Sequence, residues 1–236
     1  DVLSWASGNE PTKSKSILVN SCRPLVHNFT IQHALRIKNP RYRKKVSELL
    51  LTAGLSRELN VDEFIGLQIL WGVMFPAFLV IMNFTLGMGL PWLLILAMAP
   101  LGVYYPQIYA KAEKQRREVK VRKDLPFFAD LLALSTEAGL DFIGAIQRIV
   151  DKASDDSVLA EELGVVLRDI KLGSSRADAL RGLSKRIDTQ EITSFVAVLV
   201  DADSTGASIA QVLKDQSTQI RLERFVRAEK AGAKAS

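Results

Sequence analysis

From Phe64 to Ala110 there are 47 consecutive residues without an Asp, Glu, Lys or Arg, and no other feature limits what the chain can fold into so sharply. In a soluble domain a run of this length would have to be buried on nearly every side. As a single helix rising 1.5 Å per residue it would be about 70 Å long, against a hydrocarbon core of about 30 Å. The run must therefore turn back. Asn83, Thr85, Gly87, Gly89 and Pro91 cluster where two spans of about 20 residues would meet, so the turn is expected there. Asn60 and Glu63 have capping-box spacing at the start of the first span. Trp92 and the set Tyr104, Tyr105 and Tyr109 supply the amphipathic rings that gather at membrane–water interfaces.

Both outer flanks of this run are basic. Arg36, Lys38, Arg41, Arg43, Lys44, Lys45 and Arg57 precede it; Lys111, Lys114, Arg116, Arg117, Lys120, Arg122 and Lys123 follow it; the turn carries no charge. Cations are retained on the cytoplasmic side, so both ends are expected there and the turn on the far side. A hairpin buried in a soluble core would leave the two basic collars unexplained.

The formal charge of +5 suggests nucleic acid only until the charges are located. Residues 1–123 net +9, residues 124–220 net −7, and residues 221–236 net +3. The long polar segment is acidic and would be repelled by phosphate backbones, so no nucleic-acid partner is expected. One cysteine, Cys22, excludes an intrachain disulfide and reads as a small apolar residue. The chain opens on Asp1 rather than Met, which leaves room for a natural start upstream.

Residues 1–16 read as a polar tail. Ser21 can cap a helix to about Ile37, and the Asn39-Pro40 break precedes a second helix ending at Gly54; both suit a membrane surface. From Asp124 the pattern becomes amphipathic, with Leu159, Leu163, Val166, Leu167 and Ile170 on one face. Helices are expected at 124–138, 141–153, 156–172, 175–187, 189–204 and 207–230. The fold class is thus all-α: a two-span transmembrane hairpin plus a cytoplasmic six-helix antiparallel bundle. The expected domains are 1–60, a tail and juxtamembrane helices; 61–110, the hairpin; and 111–236, the bundle with its basic flanks. Gly139, Gly173 and Gly206 fall 34 and 33 residues apart, each placed to end a helix and open a turn, in the manner of stacked helical hairpins.

Enzyme chemistry finds little support. Val198 to Thr205 ends in Asp201-Ala202-Asp203-Ser204-Thr205, which resembles the first motif of haloacid-dehalogenase-type phosphatases, where Asp201 would be the nucleophile and Asp203 the proton carrier. That chemistry needs a strand end and a surrounding sheet, whereas Ile192, Phe195, Val196 and Leu199 fit a helix face. A membrane-anchored phosphatase is therefore the alternative reading, beside a helical-repeat adaptor. His27 and His33 lack a third ligand at useful spacing. Asp155, Asp156, Glu161 and Glu162 sit near a helix start, where the helix dipole alone accounts for them. No Walker or Gly-x-Gly-x-x-Gly stretch is present, so no cofactor is expected and any ATP is used by a partner.

The order of a basic stretch, an apolar hairpin, a second basic stretch, then Leu125-Pro126, Asp130-Leu131-Leu132, Glu137-Ala138-Gly139-Leu140, Leu172-Gly173, Ala179-Leu180 and Thr205-Gly206 with Leu213 resembles the type II secretion system F domain family. Within it the pattern is most similar to the Tad pilus platform proteins of the TadC kind, over about residues 41 to 230. The resemblance implies a non-enzymatic platform in the bacterial inner membrane, in contact with a hexameric secretion ATPase, pilin, a paralogous TadB-like subunit and membrane lipids, and working as a homo- or hetero-oligomer. Members continue into at least one more span after the last cytoplasmic helix, so a continuation past Ser236 is implied. Candidate partner-binding residues are Glu137, Asp151, Asp155, Asp156, Asp201 and Asp203. Glu137, close to a helix C-terminus where a carboxylate is disfavoured, is expected to have an offsetting partner.

Overall fold

The computed structural model describes residues 39–87, 89, 91–154, 156–205 and 209–235. The expected helix from Ser21 to Ile37, with Cys22, His27 and His33, lies outside the described residues, as do Asp155 and Gly206. Among the described residues the regular structure is helical, with no strand: α1 Pro40–Ala53, a 3-10 turn Leu55–Arg57, α2 Val61–Leu86, α3 Trp92–Ala97, α4 Ala99–Glu137, α5 Phe142–Lys152, α6 Val158–Lys171, α7 Arg176–Arg186, α8 Gln190–Thr205 and α9 Ile209–Ala235. The chain divides into two compact units, Asp1–Gln115 and Arg116–Ser236. That boundary falls inside α4, which is continuous through the second basic collar rather than beginning afresh at Asp124. Nothing between Lys111 and Lys123 breaks a helix: the stretch holds neither Gly nor Pro, and Lys, Glu, Arg and Gln are good helix formers.

In the first unit the local signals act as their chemistry dictates. Asn39 Oδ1 accepts the N–H groups of Arg41 and Tyr42 at 3.2 and 3.4 Å, and Gly54 closes α1 at φ 73°. Glu63 Oε2 accepts the Asn60 N–H at 3.0 Å, one half of the capping box that starts α2. The turn falls where expected, with Gly87 and Gly89 both at positive φ. Two segments, from Val61 to Leu86 and from Trp92 onward, are long and apolar enough to cross a membrane, yet only 28% and 22% of their most apolar windows are buried. A soluble core hairpin would be buried. Here Val73, Phe78, Ile81, Phe84, Leu93 and Leu101 are exposed, as lipid-facing side chains would be.

Two glycines let α2 and α4 approach closely. A Cβ on Gly102 would meet the Trp71 carbonyl, and one on Gly72 would lie 2.6 Å from Val103 Cγ2. Beside this crossing the rings of Trp71 and Tyr105 lie 4.7 Å apart. At the open end of the hairpin α1 contributes Val46, Leu50 and Ala53 to a small core with Leu55, Leu59, Phe64 and Ala110. Its apolar face is therefore covered by protein, and its polar face is left outward. The Tyr42 hydroxyl donates to Gln68 Oε1 at 2.6 Å and accepts from Gln107 Nε2 at 3.2 Å, and Arg43 pairs with Asp62 at 2.6 Å.

The second unit is built on one hydrophobic core: Val121, Leu125, Phe128 and Leu132 from α4, Phe142 and Ile146 from α5, Leu159, Leu163 and Val166 from α6, Leu180 and Leu183 from α7, Ile192, Phe195 and Leu199 from α8, and Leu213 from α9. From α5 to α9 each helix packs on the next, and the ends of α5 to α8 fall within about two residues of those read from the sequence. Ser157 and Ser175 cap α6 and α7. At the Ser175 cap the hydroxyl donates to Asp178 while the Asp178 N–H returns the bond. That bond, and then Arg181, hold the Asp178 carboxyl below its ordinary range.

Gly139 and Gly173 stand at φ 91° and 99°. The bonds from Gly139 N to Thr136 O and from Leu140 N to Ser135 O, repeated at Gly173 and Ser174 with Ile170 and Asp169, are Schellman caps. A Cβ at either glycine meets nothing within 4 Å, so the cost of adding one is purely conformational. Gly139→Val and Gly173→Val are each expected to lose about 1–2 kcal/mol. Gly164 is helical, and its added Cβ would make an ordinary 3.8 Å contact with Val150, so Gly164→Ala should gain up to about 1 kcal/mol. Thermal unfolding checks both signs. Unchanged melting in both Val variants would remove the caps from the account of the fold.

Candidate partner-binding surface

Contacts between helices place the acidic candidates. Glu137, on the last turn of α4, receives Lys214 Nζ from the start of α9 at 3.0 Å. The unfavourable carboxylate is thus offset by a cation from a distant helix, and not by capping α5. Two turns earlier on α4, Asp130 accepts the Ser217 hydroxyl of α9. Asp203, near the end of α8, lies 3.7 Å from Arg176 at the start of α7, and Asp201 is exposed on the same last turns. A different set of helix ends meets elsewhere. Ser157, at the start of α6, donates to Asp124 at 3.1 Å, and Arg122 pairs with Glu191, at the start of α8, at 2.9 Å. Asp151 and Asp156 flank the α5–α6 connection next to Ser157 and are exposed.

The candidates therefore form two groups rather than one surface. Glu137, Asp201 and Asp203 belong with the helix ends that carry Gly139 and Gly173, whereas Asp151 and Asp156 belong with the ends that carry Ser157. The phosphatase motif loses its geometry as well. Val198 to Thr205 is the C-terminal half of α8, and the Asp201 carbonyl accepts the Ser204 and Thr205 hydroxyls at 2.8 and 2.9 Å. The nucleophile position at a strand end is instead a helix terminus.

The residue that reading by helix dipole missed is Glu162. Its side chain is 4% exposed, and two guanidinium groups hold it: Arg117 Nη2 of α4 at 2.8 Å from Oε1, and Arg186 Nε of α7 at 2.6 Å from Oε2. Arg186 also reaches Asp169 at 3.7 Å, while its Nη2 is buried without a hydrogen-bond partner among the described residues. Three helices are thus joined through one buried carboxylate. The sequence held one clue, because Glu162 follows Leu159 by three and precedes Val166 by four, which sets it on the inward stripe of α6.

Residues 128–236 match the family model described as Type II secretion system (T2SS), protein F. This match supports that family. It starts inside α4 and takes in every later helix, so the Schellman turns, the acidic groups, Glu162 and Arg186 all lie within the matched F domain, while Arg117 lies before it. Domains of this family are found in membrane platform proteins of secretion and pilus assembly, which are non-enzymatic. A search of curated proteins found no match, and neither did a search of solved structures.

Proposed function

We propose that this chain is an inner-membrane platform protein for assembly of a type IV-like, Tad-type pilus or a type II secretion filament. The F-domain match over 128–236, following two apolar helices with basic flanks, carries this reading. Residues 61–110 form the membrane hairpin, residues 1–60 its juxtamembrane lead, and residues 111–236 the cytoplasmic helical domain. The partners are a hexameric secretion ATPase, pilin, and a paralogous TadB-like subunit in a homo- or hetero-oligomer. The work is mechanical: ATPase motion received by the acidic domain moves the hairpins, and with them the pilin membrane segments.

Asp151, Asp155 and Asp156 are the proposed ATPase contact, since an acidic surface attracts a basic one and accelerates encounter. Glu137, Asp201 and Asp203, at the other group of helix ends, are left to the platform subunits. Deleting the protein is expected to abolish filaments while pilin is still made. Reversing Asp151, Asp155 and Asp156 to Lys is expected to weaken ATPase capture on the order of tenfold, with the Glu137→Gln variant retaining it. Intact filaments after deletion would favour an adaptor unrelated to filaments. Phosphate release that vanishes in Asp201→Asn would restore the phosphatase.

A further inference from the structure

The membrane reading proposed above leaves one face of α1 unexplained. Arg41, Lys44 and Lys45 are exposed, and their spacing of three and four sets them side by side on the helix. The fourth cation of this helix, Arg43, is taken by Asp62 at 2.6 Å. Glu48 stands 4.0 Å from Lys44, both side chains well exposed, too weak a pair to neutralise the face. Arg41 and Lys45 have no acidic partner among the described residues.

The height of this face relative to the hairpin is fixed by two bonds. Arg43 grips Asp62, just outside the charge-free run, and Tyr42 grips Gln68, four residues into it from Phe64. At 1.5 Å per residue those anchors bracket the edge of the run within about 10 Å. The first turn of α1 is therefore held level with the boundary where hydrocarbon gives way to headgroups. Its apolar residues Val46, Leu50 and Ala53 are packed inside the protein, so the helix cannot turn its cations away without breaking that core.

We propose that Arg41, Lys44 and Lys45 form a binding site for the phosphate headgroups of anionic phospholipids. Charge complementarity names the occupant: three cations fixed at headgroup depth face a leaflet whose anionic lipids attract them, while a neutral lipid gains nothing from them. The inference rests on the membrane reading, and the same experiment separates the two.

The full chain is reconstituted into phosphatidylcholine vesicles with a small fraction of spin-labelled phosphatidylglycerol, and the immobilised lipid is compared with that seen for spin-labelled phosphatidylcholine. The wild-type chain is expected to prefer phosphatidylglycerol. The preference should fall roughly fivefold for each cation removed in Arg41→Gln, Lys44→Gln and Lys45→Gln, and it should weaken with salt. Removing three exposed cations of the second unit, Arg148→Gln, Arg168→Gln and Lys171→Gln, should leave it unchanged. Insertion without a preference, a triple α1 variant that keeps the preference, or an equal loss in the second-unit control would each overturn the site alone. A wild-type chain released from the vesicles by alkaline wash would overturn the membrane reading and the site with it.

Discussion

Glu162→Ala is expected to destabilise the second unit by about 3–5 kcal/mol, the cost of leaving buried charges without their counter-ion. The carboxylate is 4% exposed and binds Arg117 and Arg186, themselves only 14% and 17% exposed. Its loss sets two desolvated guanidinium groups against each other where water cannot easily replace the missing oxygens. Glu162→Gln keeps the shape and half the acceptors but not the charge, so its melting temperature should fall between those of Ala and wild type.

The energetics of buried ion pairs supply a second arm. Such networks recover little more than their desolvation cost, so replacing all three members by apolar residues of similar volume, Arg117→Met, Glu162→Leu and Arg186→Met together, should recover most of the lost stability. Thermal unfolding of the full chain, followed by helical circular dichroism, measures all of these variants. A Glu162→Ala protein that melts with wild type would mean that the clamp contributes nothing. A triple variant as unstable as the single one would show that the ions hold a packing arrangement that apolar side chains cannot reproduce.

What could be read from the sequence follows the range of the forces involved. Caps and turns are local, and they were legible: Asn60, Gly54, Gly139 and Gly173 each act within four residues of themselves, and the Asn39-Pro40 break stands where α1 begins. The charge-free run announced its own turn, because membrane thickness sets a length that no single helix of that size can fit. The inward stripe of α6 was legible for the same reason, as a repeat along one helix.

Glu162 was not legible in full, although it lies on that stripe. Its partners stand 45 and 24 residues away, and nothing local to α6 says that two arginines from other helices arrive there. The same is true of Tyr42, which meets Gln68 and Gln107 across 26 and 65 residues. The candidate site was legible as composition only. A net charge of −7 over residues 124–220 does not tell which carboxylates share an end of the domain, and the helix contacts divide Glu137, Asp201 and Asp203 from Asp151 and Asp156.

The close crossing of α2 and α4 is the other feature hidden from sequence, since nothing local to Gly72 or Gly102 says that the two helices meet there. Their environments differ in a way that makes separate predictions. A Cβ on Gly102 is directed at the Trp71 carbonyl, with the carbonyl carbon at 2.9 Å and Phe75 Cβ at 3.0 Å, so it meets backbone that cannot rotate away. A Cβ on Gly72 is crowded by the Val103 side chain alone, at 2.6 Å from Cγ2, while the Ala99 carbonyl oxygen stands at an ordinary 3.9 Å. Gly102→Ala should therefore force α2 and α4 apart, at a cost of about 1–3 kcal/mol from overpacking and lost contact. Gly72→Ala should cost less, and truncating its neighbour in Gly72→Ala/Val103→Ala should restore wild-type stability. Phe75→Ala should fail to rescue Gly102→Ala, because the obstructing atom is the Trp71 oxygen. The control is Leu101→Ala, which changes an exposed side chain and should shift melting little. Thermal unfolding in detergent, with the Trp71–Tyr105 contact followed by fluorescence, reads each variant. Rescue of Gly102→Ala by Phe75→Ala, or an undisturbed melt in Gly102→Ala, would show that α2 and α4 are not held at the distance these two glycines permit.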